Sequence, residues 1–381
     1  MRLDSARVRV ATPPGADARA DASDGSTDVR ADVSADVRNR ARTDTPTDTP
    51  TDTREDARPD AGTAVPAHPP LVLPMPGQEQ ADCGHKGCEE RLRGELAALR
   101  ETLTGNPPAA YRAPAGEADR ARHRWLTGHQ AALPVAQLLT AALHALAAAP
   151  EEAAGRLITW AVALYDVDSV LSLYSGSCPP ALYGSLVRPP AMAAHPALSG
   201  EWARDHAPVP QALRAAQDRH RAAPARDQLT RAVKDNLRVR MAVARRLVPE
   251  GAASLLQHTG RCPGHEPTEA EQDLYDVHFQ VQRRPVCRSV CRAQLVGLLG
   301  RCVADIGAYG LGPVPDGAPE RFGREALARL VAVAVCEGPP AFASQIPQPP
   351  SRTSPNPTLS PNPTLSPKPT PTPTPPKGRK A

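Results

Sequence analysis

The chain is short of aromatic side chains and of lysine. It has three phenylalanines, three tryptophans and six tyrosines in 381 residues, and lysine stands only at positions 86, 234, 368, 377 and 380. So few rings exclude the interleaved aromatic platform on which single-stranded nucleic acid stacks. The missing lysine is replaced by arginine, one of the residues that a GC-rich genome supplies by default, so arginine richness alone does not specify a partner. No glycine-rich phosphate loop and no serine or cysteine in a nucleophile elbow occur, which argues against nucleotide hydrolysis and acyl transfer. No apolar run follows Met1–Pro14, so no secretion signal is read there. The most apolar stretch, 131–149, is interrupted by Pro134, Gln137, Thr140 and His144 and reads as a buried helix rather than a membrane span. With no signal, the eight cysteines are expected reduced, and the protein nuclear or cytoplasmic, neither secreted nor inserted in a membrane.

What the chain has in excess is proline, 45 residues of it, concentrated toward the ends. Residues 1–80 alternate Asp, Arg, Ala, Thr and Pro with a net charge of −4, and cannot bury enough apolar surface to offset the entropy of ordering. Residues 339–381 repeat Ser-Pro-Asn-Pro-Thr-Leu, carry +5 and no acid, and read as an extended polyproline-like tail. Between a disordered arm (1–80) and a disordered basic tail (339–381), residues 81–338 form the expected folded core.

Periodicity in that core is helical, which predicts an all-α irregular bundle. Leu92, Leu96, Leu99 and Leu103 recur at helical spacing, with Gly105 placed to stop the helix. Further helices are expected near 133–148, 151–174, 210–222, 226–247, 292–308 and 323–336. The second of these is apolar on nearly every face and belongs at the centre. Prolines 179, 180, 189, 190 and 196 predict a long loop.

Two cysteine and histidine clusters stand out. Cys262, His265, Cys287 and Cys291 offer four ligands on two short turns, suited to a tetrahedral Zn²⁺ ion. Cys83, His85 and Cys88 form a second candidate metal cluster in a glycine-containing loop. Cys178, Cys302 and Cys336 read as structural. The helix expected over 226–247 presents Leu229, Val233, Leu237, Met241, Ala244 and Leu247 on one stripe. Arg231, Lys234, Arg238, Arg245 and Arg246 lie largely on the other faces, in a stretch (203–248) with a local charge of +7. Such a face can track a phosphate backbone, RNA or DNA, or dock a protein partner. Asp205 with His206 and Asp276 with His278 each pair an acid with an imidazole, but no nucleophile accompanies them, so no catalytic residue is assigned.

The layout of a charged arm, a helical domain with scattered Cys and His, and a proline-rich end resembles the regulatory and tegument proteins of GC-rich herpesviruses. That resemblance of composition implies a non-enzymatic regulator or adaptor of the kind that controls viral gene expression, with a structural assembly protein as the alternative; it transfers no residue.

Overall fold

The computed structural model describes residues 69–78, 80–196, 198–220, 226–248 and 266–336. Residues 1–68 of the expected arm, the tail and the residues Cys262 and His265 lie outside them, whereas the end of the arm is ordered, with Leu71 and Leu73 buried in the core. The described part is helical, as its periodicity predicts: α1 (Lys86–Leu103), α2 (Glu117–Ala148), α3 (Glu151–Ser175), α4 (Pro180–Leu182), α5 (Arg188–Ala194), α6 (Val209–Arg219), α7 (Arg226–Leu247), α8 (Glu269–His278), α9 (Arg288–Tyr309), α10 (Arg321–Arg324) and α11 (Ala326–Val335).

At the centre stands α3, packed between α2 and α7. Its residues Leu164, Val167, Val170, Leu171 and Tyr174 are all buried, the outcome expected of a helix without a polar face. By length and apolarity α2 and α3 are each long enough to cross a membrane, but 56% and 78% of their most apolar windows are buried inside the bundle. Gly128 lets α2 approach this closely, since a Cβ there would stand 2.8 Å from that of Ser175.

Three features depart from the sequence reading. Pro134 does not start α2 but lies within it. A proline removes only the bond to the carbonyl four residues back, and the buried apolar turns on either side hold the helix through that loss. The prolines at 180, 189 and 190 occupy first-turn positions of α4 and α5, where a missing N–H costs nothing. The expected loop is therefore a chain of short helical turns, joined by a π-helical segment, Tyr183–Val187. Finally, two short strands, β1 (Leu71–Leu73) and β2 (Val281–Arg283), pair in parallel with Leu73 opposite Arg283. On β1 the Gln294 side chain of α9 takes the place of a strand, accepting from the Val72 N–H at 2.8 Å and donating to its carbonyl at 2.7 Å. This amide caps an edge that would otherwise be open and ties the start of the described chain to its far end.

Candidate functional site: an imidazole-lined aromatic cleft

Helix α8 begins in a capping box, Thr268 and Glu271 each bonding the other's backbone N–H. It ends at Phe279, and Gln280 then takes the left-handed conformation (φ 55°) that turns the chain into β2. The turn sets Tyr275, His278 and Phe279 against α2. There the Phe279 ring stacks on His129 at 4.5 Å and 12°, Tyr275 lies 4.5 Å from Phe279, and Trp125 lies 4.2 Å from His129 and 5.6 Å from Tyr183. His206 comes from the segment between α5 and α6, while Arg240 and Asn236 come from α7 and Asp168 from α3. Asn236 donates to Asp168 at 2.8 Å, and the Arg240 Nε lies 3.8 Å from the same carboxylate. His129, His206 and His278 are each half-buried at the edge of this cluster.

His129 is the most constrained of these groups. Its Nδ1 lies 2.8 Å from the carbonyl oxygen of Trp125. A carbonyl only accepts, so Nδ1 carries the proton and the neutral ring leaves Nε2 bare. Burial, with help from the nearby His278, Arg240 and His206, drives the His129 pKa down to about 4. Burial likewise lowers His206 and His278, with Arg240 reinforcing it at His206 against the opposing pull of Asp168 and Asp205. The cluster thus presents neutral imidazoles at neutral pH, the state in which a ring nitrogen can ligate a metal. The buried Trp125 Nε1–H beside them has no hydrogen-bond partner.

These shifts carry a pH dependence. In the unfolded chain His129 protonates near its ordinary 6.5 and in the folded protein only near 4, so between these values the unfolded state binds the extra proton. The stability contribution is complete above the first value and is lost as pH falls toward the second. Thermal midpoints of the cofactor-free protein should fall from about pH 6.5 to about pH 4.5, and His129→Gln should flatten that slope.

Behind the imidazoles lies a buried ionic scaffold. Arg283 grips two carboxylates at once, reaching Asp276 through Nε (2.9 Å) and Nη2 (2.7 Å) and Asp205 through Nη1 (3.0 Å) and Nη2 (2.7 Å). Arg204 completes the group by donating to Asp276 at 3.0 Å and to Asp273. Asp205 is fully buried and Asp276 nearly so. Burial opposes the charge on Arg283, but its hydrogen bonds to Asp276 and Asp205 outweigh it and raise its pKa. The two acid and imidazole pairs, isolated in sequence, are therefore bound together through their acids, and their imidazoles both face His129 electrostatically. The missing signal was Arg283, hidden in an arginine-rich run.

A family model, SfmD 3-methyl-L-tyrosine peroxygenase, matches residues 3–229, more than half of the chain. The chain belongs to this family. No curated protein matches it. The matched stretch contains Trp125, His129, Asp168, Tyr183 and His206, while the wall from α7 and α8 lies beyond it. Membership in a peroxygenase family overturns the expectations of a non-enzymatic regulator or adaptor and of a viral or tegument protein. An oxidative site that works through a bound cofactor needs no nucleophile elbow, which is why the missing motifs misled.

The residues expected to contact nucleic acid belong to a different part of α7. Arg238 pairs with the buried Asp235 at 3.1 Å, and Arg246 donates to the carbonyls of Pro313 (3.0 Å) and Cys178 (3.2 Å). Arg231 and Lys234 border a groove together with Asp227, Asp235 and Arg321, and Arg245 reaches toward Gly317. Much of the basic face is thus spent on contacts within the chain, and the regulatory nucleic-acid reading falls with the family assignment.

Of the first expected metal set, Cys262 and His265 lie outside the described residues. Cys287, from the first expected set, joins Cys83 and Cys88 from the second, their sulfurs all within 4.8 Å of one another, so three thiols stand together where they can hold a metal ion. Cys291 is buried one turn further along α9, outside this group. His85 is exposed at the N-cap of α1. Cys178 and Cys302 are buried, as expected of structural residues, whereas Cys336 is half-buried just past α11.

Proposed function

We propose that the chain is a haem-dependent peroxygenase that oxygenates a phenolic aromatic substrate in the cleft between α2, α7, α8 and the segment carrying His206. The family to which it belongs is one of haem enzymes, and the donor set suits that group better than it suits zinc. The observation that carries the reading is His129, a neutral imidazole whose Nδ1–H is fixed by the Trp125 carbonyl. Metal-bound histidines are characteristically oriented in that way by a partner on their other nitrogen.

When bound, haem would activate peroxide, so that one oxygen enters a C–O bond on the substrate while the other leaves as water. His129 would hold the iron through Nε2. Trp125, Tyr183, Tyr275 and Phe279 supply apolar faces that exclude water from a planar group and accept an aromatic ring by stacking. Arg240, half-exposed beside Asp168, is the cation available to a carboxylate of the cofactor or the substrate. His206, neutral and adjacent to that arginine, is placed to take and return a proton. The Arg283 and Arg204 scaffold fixes the backbone on which His206 and His278 stand.

The test is reconstitution of full-length protein with haemin, followed by peroxide-dependent turnover of tyrosine and ring-methylated tyrosines. Stoichiometric haem uptake and oxygenated product support the reading. Failure to take up haem, or uptake without oxygenation of any phenol, would overturn it.

A further inference from the structure

We propose that Cys83, Cys88 and Cys287 bind a Zn²⁺ ion that fastens the segment leading from β1 into α1 onto the start of α9, as a structural site separate from the oxidative cleft. A tetrahedral zinc site with Zn–S bonds of about 2.3 Å places its sulfurs about 3.8 Å apart. The three sulfurs, all within 4.8 Å of one another, need only a small contraction to reach that spacing. They come from two chain segments about 200 residues apart in sequence, so the cluster is created by the fold and not by a helical repeat.

The local backbone suits a thiolate site. Cys83 is followed by Gly84 in the left-handed conformation (φ 64°), which reverses the chain. The Cys88 N–H then bonds the His85 carbonyl at 3.0 Å, presenting both sulfurs of the loop to one point. Cys287 is the N-cap of α9. Burial works against its thiolate, but the N–H groups of Val290 and Ser289 and hydrogen bonds from Cys83 and Cys88 bring its pKa down. Entry of a soft cation would displace the thiol protons as the sulfurs ligate it.

The contacts that otherwise join these segments at this point are slight. They are an exposed Arg288–Asp82 pair at 3.2 Å and an Arg288 N–H bond to the Ala81 carbonyl at 3.3 Å. An exposed pair contributes at most about 1 kcal/mol, so an ion would add a strong polar anchor at the end of the packing between α1 and α9. Three thiolates and one Zn²⁺ leave one ligand position for water or for His85. Thiol ligands select zinc over magnesium or calcium.

The experiment measures metal content and thiol titre of the full-length protein, produced with zinc in the medium and purified without chelator. One zinc per chain is expected. Cobalt exchange should give the thiolate charge-transfer absorption of a tetrahedral sulfur site. Cys88→Ser and Cys287→Ser should each weaken zinc binding by more than about tenfold, while Cys178→Ser leaves it unchanged. If a variant fails to fold, titration of the wild type with a mercurial decides the matter, since zinc should leave as the three thiols are blocked. Folded protein without zinc, a Cys83–Cys88 disulfide in reduced preparations, or zinc that survives Cys88→Ser but is lost in Cys262→Ser would each overturn the proposal.

Discussion

Arg283→Met should destabilise the folded protein by about 3–5 kcal/mol, the cost of leaving the buried Asp205 carboxylate without its cation. Arg283 bridges Asp205 and Asp276, contacting both in bidentate fashion. Removing it strands Asp205, which retains only the 2.6 Å bond from the Gln137 side chain, in a site with no access to solvent. Arg283→Lys should recover little, because one ammonium cannot reproduce a planar fork serving two carboxylates. The comparison is Arg122→Ala, which removes an exposed pair with Asp119 and should cost less than about 1 kcal/mol. Denaturant midpoints of the three variants at unchanged slope check the ranking. An Arg283→Met protein as stable as Arg122→Ala would mean that the scaffold contributes nothing net.

The same arginine marks the boundary of what could be read from sequence. Helices α1, α3, α7 and α9 were legible because their apolar residues repeat at the helical period over four or more turns, so burial and pattern coincide. Helix α8 was not, although Thr268 and Glu271 carry a capping-box spacing, because its ten residues hold few apolar positions. The strands β1 and β2 were illegible for a different reason. Each is three residues long, and they pair across about 200 residues, so no local alternation distinguishes them. Among the site residues, Asp205, His206, Asp276 and His278 were visible as acid and imidazole pairs, but their joining depends on Arg283 and on a parallel pairing no period reveals. His129 was not singled out, because it precedes the apolar stretch at 131–149 and belongs to no motif. What distinguishes it is the stacking of Phe279, and that follows from the left-handed turn at Gln280.

The basic helix shows the converse error, in which a pattern was legible and its meaning was not. Charge at 226–247 suggested an external anionic partner, yet Asp235 alone gathers Arg238 and Arg321, the latter at 2.5 Å. In a chain nearly without lysine, arginine performs the internal bridging as well as the solvation, and counting charges cannot separate the two uses. Arg240, which was not singled out because it belongs to the same run, is the member of α7 that reaches the cleft.

His129→Gln should abolish haem uptake and lower peroxide-dependent turnover by more than about a hundredfold, because even outer partners of metal ligands cost 10–100-fold when removed. Glutamine preserves a donor able to meet the Trp125 carbonyl and a comparable volume beneath Phe279, so loss of the Soret band would report ligation and not collapse of the cleft. His129→Gly with added free imidazole should restore part of both signals, since the ligand is then supplied from solution to a cavity that the aromatic walls still define. His206→Gln separates the two roles. It should leave haem binding intact and reduce turnover by about 10²–10⁴-fold, the range for a positioned proton-transfer group. If His129→Gln retains its Soret band while His206→Gln loses it, the two imidazoles have exchanged duties and His206 holds the iron. If neither variant changes haem uptake, the iron is held outside this cleft, and the stacking of Phe279 on His129 serves packing alone.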